Sequence, residues 1–525
     1  MIIKNRFALI LIMMAALTIL HSCGSGINYI PNAGNLEING TVTINYNFTH
    51  QVIDGFGGSN AWTRLPEGST ANSLVKLLFS KTEGMGFTIL RNRIPFRERL
   101  PGDENPSLND GFVVRNNDHT YSYKEENGIK TFDLNWNSWD IASTRNLIQR
   151  IKNLGKDGPE ELVIMSSPWT PPNNRVTRWK EDVTGVSTSL NYTMNFTTPD
   201  VWGRLKRAHY NDYADLLADY VLNFESRMGH PLSILSVQNE PNWKVQYESA
   251  YWSGTDLRDF IKVIANRFPQ KGITVGTIGN NAVGIMMPEF ENFNINFNNM
   301  IKPSLDDPIS ERAITHIALH QYNGAYDPSS RAGSRAFPEI IESGKRFWQT
   351  EVSGSGPNLP TGIGINNALY YARMIHWDMT LAQTNAFLFW WLWTNTRGNT
   401  TGSLVITDGN RLIKTHRLYA MGQYSRFIRP GWIRIECDAV PFWGVFSSAY
   451  KNPLTKEIAI VIINERHEET NITFNLTEAD FDTIDVYRTS ENETLTYIGR
   501  QRTGANSVNV SLAPMSITTF YGSVK

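Results

Sequence analysis

Cysteine is scarce in this chain: 525 residues hold two, Cys23 and Cys437. That excludes a disulfide framework and any metal site built on several thiolates. Charge of either sign is not in excess. Lys and Arg number 49 against 50 Asp and Glu, a formal net charge of −1. Nucleic acid is therefore excluded as the main partner, because neutralising phosphates takes a clustered surplus of cations. The apolar stretch at residues 7–20 is too short for a comfortable membrane span. Internal repeats are missing, and low-complexity sequence is confined to one short tether. What the chain does hold is ample apolar material, 41% of residues, enough for a sizeable core. It also holds 15 Trp, 20 Tyr and 25 Phe. These rings fit either a large core or a sugar cleft, since the C–H faces of pyranose rings pack on indoles.

The N-terminus reads as a processing signal. Lys4 and Arg6 precede the apolar stretch, and Leu20-His21-Ser22-Cys23-Gly24 follows it. This resembles a bacterial lipobox, in which the cysteine becomes the lipidated first residue. The expectation is a signal peptide over 1–22, lipidation at Cys23 and a flexible tether over 23–35. The protein is then expected in the bacterial envelope as an exported lipoprotein, touching membrane only through its anchor, and as a monomer. Cys437, alone in the mature chain, reads as a small buried hydrophobe.

Beyond the tether, residues 36–49 alternate apolar and polar and read as strands. From residue 51 to 425 short apolar runs alternate with helical patterns, which points to a parallel sheet of βα units. Strands are expected at 53–57, 88–94, 162–166, 234–239, 273–278, 314–322, 346–352 and 386–393. Eight in that order make the fold class α/β, a (β/α)₈ TIM barrel. Helices are expected over 140–154, stopped by Gly155, over the stripe from Tyr213 to Phe224, stopped by Gly229, and from an N-cap at Thr255 to Phe268. After Pro430 the spacing changes to short, closely set strands at 445–450, 457–464, 471–475, 483–488, 507–511 and 516–522. They indicate a β-sandwich side domain over 426–525 that also takes in the strands of 36–50.

A TIM barrel carries its active site at the C-terminal ends of its strands. The fourth expected strand ends in Ser236-Val237-Gln238-Asn239-Glu240-Pro241, and the seventh in Trp348-Gln349-Thr350-Glu351. Two carboxyls on facing strand ends suit glycosidic cleavage: one protonates the leaving oxygen, and the other attacks the anomeric carbon or activates water. Two carboxyls suffice, so neither metal nor cofactor is called for.

The same residues carry a resemblance. Asn239-Glu240-Pro241 with Glu351 resembles the retaining clan built on the 4/7 barrel. Gln51-Val52-Ile53-Asp54-Gly55-Phe56-Gly57-Gly58 is similar to the opening of glycoside hydrolase family 30. Ile89-Leu90-Arg91, Ser167-Pro168-Trp169-Thr170-Pro171-Pro172, His320-Gln321-Tyr322, Trp390-Trp391 and Tyr424-Ser425-Arg426-Phe427 follow in the family's order. The likeness runs from about Gln51 to the C-terminus, nearest to the bacterial endo-xylanase branch. It implies Glu240 as acid/base and Glu351 as nucleophile, with Asn239 on the sugar 2-hydroxyl and Arg91 supporting the nucleophile. It implies His320 and Tyr322 as the sixth-strand pair, Tyr322 donating to Glu351, and Trp169 and Trp391 as aromatic walls. Trp62 and Trp243, after the first and fourth strands, are further cleft candidates.

The expected activity is thus a retaining endo-β-1,4-xylanase acting on a polysaccharide of xylan type. The alternatives are a β-1,6-glucanase or exo-β-glycosidase of the same family, and a non-catalytic glycan-binding lipoprotein. One departure bears on substrate. Glucuronoxylan-specific relatives carry an Arg–Ser–Tyr cluster after the paired tryptophans, and here that segment offers only Arg397 as a substitute. The stretch 175–198 is also an unusual insertion for that branch.

Overall fold

In the computed structural model the described residues are 39–96, 111–174, 176–183, 201–245, 247–324, 333–354, 362–396 and 402–525. Cys23 with its signal and tether, most of the 175–198 insertion, and Arg397 lie outside them.

Eight parallel strands close into a barrel in chain order. They are Gly55–Ser59, Ile89–Ile94, Val163–Pro168, Ile234–Ser236, Ala282–Phe290, Ile314–His320, Arg346–Glu351 and Ala386–Asn395. The eighth strand closes the ring by pairing with both the seventh and the first. Helices cover the outside, so both faces of each strand are buried, and this is why the strands read as apolar runs rather than alternations. Inside the barrel Ile89, Met165, Ile234, Met286, Ala318, Trp348, Ala386 and Leu388 form one packed layer, drawn from seven of the eight strands. That plug supports the mouth above it.

The fifth strand is not where its pattern suggested. Residues 273–278 yield only Thr274–Val275, a short outer rung beside Ala282–Val283. Gly276 and Gly279, at φ +88° and +159°, loop the chain round to the true strand, Ala282–Phe290. Gly284 and Pro288 made that strand look interrupted. Gly284 is required there, because a Cβ would lie 2.4 Å from the Thr315 hydroxyl on the next strand.

Helix ends follow local chemistry. Trp139–Lys152 is capped by Asn153, and Gly155 instead opens a short 3₁₀ turn. Tyr210–Met228 ends at Gly229, as expected, in the left-handed conformation. Gly254–Gln270 starts two residues earlier than expected. Its N-cap is Ser253, which accepts from the Asp256 N–H while the Asp256 carboxylate accepts from the Ser253 N–H.

The side domain is one nine-stranded sheet that curls on itself. The six strands expected in the tail all form, and Ile433–Cys437 and Thr496–Arg502 join them. The N-terminal segment contributes a single strand, Gly40–Val52, between Ile433–Cys437 and Thr470–Thr477. Curling brings distant strands together: Phe474 meets Phe520 edge to face at 4.9 Å, within a core that includes Val42, Ile44, Ile460 and Val508. Cys437 lies in this core as a free thiol, and burial pushes it up to about 12. The opposite face of the central strands, with Tyr450, Ala459, Val461 and Ile517, packs into the barrel's own outer core. The Arg373 guanidinium donates to Glu465 at 2.6 Å and 2.7 Å, and Phe427 packs on Tyr487 and Tyr521, across the same junction.

Because Ser253 rather than Thr255 satisfies the first turn, Ser253→Ala is expected to cost about 1 kcal/mol in urea unfolding. Thr255→Ala should cost a few tenths at most, and equal losses would contradict the capping box.

Candidate active site

Arg91, on the second strand, points into the barrel mouth and is fully buried. One of its terminal nitrogens donates to Glu351 Oε2 at 2.6 Å, and the other to Asn239 Oδ1 at 2.5 Å. Its Nε donates to Glu289 Oε1 at 3.1 Å. A single guanidinium therefore ties the second, fourth, fifth and seventh strands. The rings of Trp169 and Trp390 lie 4.8 Å and 5.7 Å from it and close it from above.

Glu351 also accepts from the Tyr322 hydroxyl at 2.7 Å, the contact expected of the sixth-strand tyrosine. Glu240 accepts from His320 Nδ1 at 2.8 Å. Carboxylate oxygens of Glu240 and Glu351 lie within 4.8 Å of one another. Glu240 sits at φ +45°, a left-handed conformation costing roughly 1–3 kcal/mol away from glycine. Its N–H is held by the Glu289 carbonyl at 3.0 Å, and the Asn239 N–H by the Pro168 carbonyl at 2.8 Å. Backbone bonds to neighbouring strands thus fix a strained residue at the reacting position.

The charges are strongly interdependent. Burial alone would lower His320, but Glu351, Glu240 and Glu289 outweigh it and hold the imidazole up at about 9. Burial likewise opposes ionisation of Glu289, yet Arg91, His320 and Ser167 bring it down to about 2. For Glu351, burial and the nearby Glu240 raise the carboxyl, while His320, Arg91 and Tyr322 pull the other way. The net effect is to raise Glu351 above its ordinary value, burial being the largest cause. Of the two carboxyls, Glu351 receives both the Arg91 and the Tyr322 donors, contacts that favour an anion there. Glu240, Glu351 and His320 bring their polar atoms as close as a cation would require. Arg91 and an imidazolium at His320 already supply two positive charges there, so the cluster is balanced as an acid/base centre.

The aromatic residues divide. Trp169 is buried, and Trp62 packs on it at 5.0 Å and on Trp390 at 5.8 Å. From the eighth strand it is Trp390, not Trp391, that faces Arg91. Trp391 stacks behind Trp390 at 5.0 Å and donates its indole N–H to the Ala61 carbonyl. The cause is a bulge: Phe389 pairs with Gly58 and Trp391 with Ser59, so Trp390 is the extra residue. Trp243 follows Glu240 in a turn and is 42% exposed.

Several residues escaped the sequence reading. Glu289, wholly buried, came from the misplaced fifth strand. Ser167, within a quoted motif, donates to Glu289 Oε2 at 2.6 Å. Glu291, two residues on, accepts from Asn242 and from Asn292, and burial with the nearby Glu240 raises it to about 7. Tyr247 packs edge-on against Trp62 at 5.8 Å. It is held there through Glu248, which pairs with Arg93 as Asp140 also does. Placing the fifth strand at 282–290 would have found Glu289; no spacing signal marks Tyr247.

A barrel with paired carboxyls on its fourth and seventh strands defines a glycoside hydrolase. The comparisons agree. A family model described as O-glycosyl hydrolase family 30 matches residues 183–405. Glucuronoxylanase XynC of Bacillus subtilis (strain 168) is 24% identical over 495 residues, 93% of each chain. The family 30 subfamily 8 xylanase Xyn30A of Clostridium acetobutylicum superposes with a TM-score of 0.67 at 24% identity, covering 92% of this chain and 99% of that one. The endo-beta1,6-glucanase BT3312 gives a TM-score of 0.63 at 18% identity, over 92% and 94%. The chain is a glycoside hydrolase, similar in sequence and fold to members of family 30.

The sign of the cluster's pH dependence follows from its shifts. Glu289, depressed to about 2, stabilises fully above its ordinary 4.5 and loses that contribution as pH falls through 2. His320, raised to about 9, stabilises fully below its ordinary 6.5 and loses that contribution as pH rises through 9. Arg91→Met strands two buried carboxylates and should cost about 3–5 kcal/mol near pH 6. In urea titrations the deficit should shrink on acidification, as those carboxyls take up protons in the variant. A deficit independent of pH would mean that Arg91 serves packing rather than charge.

Proposed function

We propose that this chain is a retaining endo-β-1,4-xylanase, with Glu351 as nucleophile and Glu240 as acid/base. The observation that carries the reading is the pair itself. Carboxylate oxygens within 4.8 Å suit the roughly 5–5.5 Å of retaining enzymes, and leave no room for the water that inverting enzymes admit at about 6.5–9.5 Å. Glu351, anchored by Arg91 and Tyr322, attacks the anomeric carbon. Glu240 protonates the departing glycosidic oxygen, then deprotonates the water that releases the sugar. Asn239, oriented by Arg91, is set to meet the 2-hydroxyl. Trp169, Trp390 and Trp62 offer apolar walls to the ring. The choice of xylan rests on the glucuronoxylanase relatives. The fold's likeness to an endo-β-1,6-glucanase keeps that linkage as the second reading. A non-catalytic role is disfavoured, because a binding module has no use for two buried carboxyls facing each other within 4.8 Å.

Early products on xylan should be β-anomers by NMR, and xylan should be cleaved in preference to pustulan. Glu351→Ala should be inactive until azide rescues it as an α-glycosyl azide. Glu240→Ala should keep its activity on good leaving groups, and azide should then give the β-product. The reverse anomers would exchange the two roles, and cleavage of pustulan alone would move the substrate to β-1,6-glucan.

We further propose export and lipid anchoring at Cys23. Among the described residues no helix is long and apolar enough to cross a membrane. Cys23→Ala should release active protein from the membrane fraction, and unchanged membrane association would refute the anchor.

A further inference from the structure

Five ionisable groups meet in the barrel mouth, and the proposed reaction uses only some of them directly. Glu289, like His320, is given no part in it. It lies below the reacting pair, 0% exposed, on the fifth strand. Its Oε1 is 3.0 Å from Arg91 and 3.6 Å from His320 Nε2, and its Oε2 accepts from Ser167. His320 Nε2 is buried and has no hydrogen-bond partner, so the Glu289 carboxylate is the group that faces it. The other ring nitrogen of His320 is on Glu240, and Glu351 Oε1 lies 3.9 Å from it. Also bearing on this centre are Tyr322 on Glu351, Glu291, whose field reaches both Glu240 and His320, and Tyr247, whose hydroxyl feels both Glu240 and Glu351.

We infer that Glu289 is a positioning residue: its buried carboxylate, set against His320 Nε2 and Arg91, keeps His320 an imidazolium and, by opposing a further negative charge beside it, keeps one proton on Glu240 while Glu351 is ionised. The inference rests on the proposed roles of those two carboxyls. The charge count shows why it is needed. Arg91 and His320 carry two positive charges; Glu289 and Glu351 carry two negative charges; a protonated Glu240 leaves the buried site neutral. Without Glu289 the site carries an uncompensated positive charge. It can shed that charge only by losing a proton, from His320 or from Glu240. Both routes act on the acid. Loss from Glu240 removes it outright, and loss from His320 takes away the positive charge beside it and leaves only a neutral N–H to orient it.

Glu289 cannot be replaced by an interaction with solvent, since nothing at its position is exposed. Nor is it a spare partner for Arg91 alone. Arg91 already has Glu351 and Asn239, and the Glu289 carboxylate extends past it to His320 and Ser167.

The test has two arms. The first needs no substrate. In protein labelled at histidine ring nitrogens, with His320 assigned by its loss in His320→Gln, the His320 imidazole should stay protonated through neutral pH. In Glu289→Gln it should titrate at least about 1 unit lower. The second arm is the pH profile of kcat/KM. In Glu289→Gln the whole bell should move to lower pH by about 1 unit. The loss at neutral pH should be large for substrates with poor leaving groups and small for activated aryl glycosides, which need no proton. Glu289→Asp, which keeps the charge, should restore the profile; it also serves if Glu289→Gln fails to fold, because its His320 should then titrate as in the parent protein. An unchanged His320 titration in folded Glu289→Gln overturns the inference, as does an equal loss on good and poor leaving groups. A parent protein that cleaves no β-xylan but shows the His320 shift refutes the xylanase reading and leaves this one standing.

Discussion

Withdrawing a guanidinium from water is costly, and Arg91 is withdrawn completely. The cost is met because each of its three nitrogens finds an acceptor: Glu351, Asn239 and Glu289, on three different strands. Arg91 cannot be satisfied unless the fourth, fifth and seventh strands are in register with the second. The converse also holds. Glu289 and Glu351 cannot remain ionised in a dry barrel without a cation between them. The interaction is therefore both a fold constraint and a chemical one. It sets the relative heights of the strand ends, and by the same contacts it decides where negative charge is tolerated. Trp169 and Trp390 complete it by covering the guanidinium with π faces rather than water, which strengthens every charge contact below.

The barrel supplies this arrangement at little extra cost. Parallel strands present their C-terminal ends to one mouth, so residues far apart in sequence converge without long connections. The strained backbone at Glu240 and Glu289 is placed where the ladder ends, and the two residues share a backbone hydrogen bond. Strain at that point loads no ladder bond further down. The interior layer beneath, with Trp348 at its base and Met165 and Met286 beside it, prevents the mouth from relaxing inward. The side sheet contributes from outside. Its central strands are apolar on both faces, one face in the curled core and one against the barrel's helices. The two parts are stabilised through one shared layer, and the N-terminal strand is bound into it from the start of the described chain.

Much of this was legible in the residues, and the failures have physical causes. Seven barrel strands could be placed because burial on both faces makes each a compact apolar run. The fifth could not, since Gly284 and Pro288 break its pattern while the run at 273–278 imitates a strand. Glu289 disappeared with it. Glu240, Glu351, Arg91, His320 and Tyr322 were readable because strand-end carboxyls and their partners sit inside short local motifs. The choice between Trp390 and Trp391 was not readable. Alternation along a strand has period 2, and a single bulge reverses it without leaving a mark in composition. Ser253 was passed over for Thr255 for a similar reason: both are good caps, and only the reciprocal bond with Asp256 distinguishes them. Tyr247 depends on the Arg93–Glu248 pair, a contact across the mouth that no local pattern records.

The same division explains why the reaction is easier to read than the substrate. The groups that handle the anomeric centre stand on strands, where register and buried charge leave little freedom. A xylanase and a β-1,6-glucanase need the same nucleophile, the same acid and the same cover of aromatic rings. They differ in where the next sugar must lie, and that is decided by the loops after the strands, whose shape answers to no periodicity. Glu291, Asn242 and Trp243 occupy such loops beside Glu240. Their chemistry is polar and adjustable, in contrast to the charge-locked centre a few ångströms below. Linkage preference can therefore change through these loop residues without disturbing Arg91 and its partners, and a fold shared between two linkages is what such a separation produces.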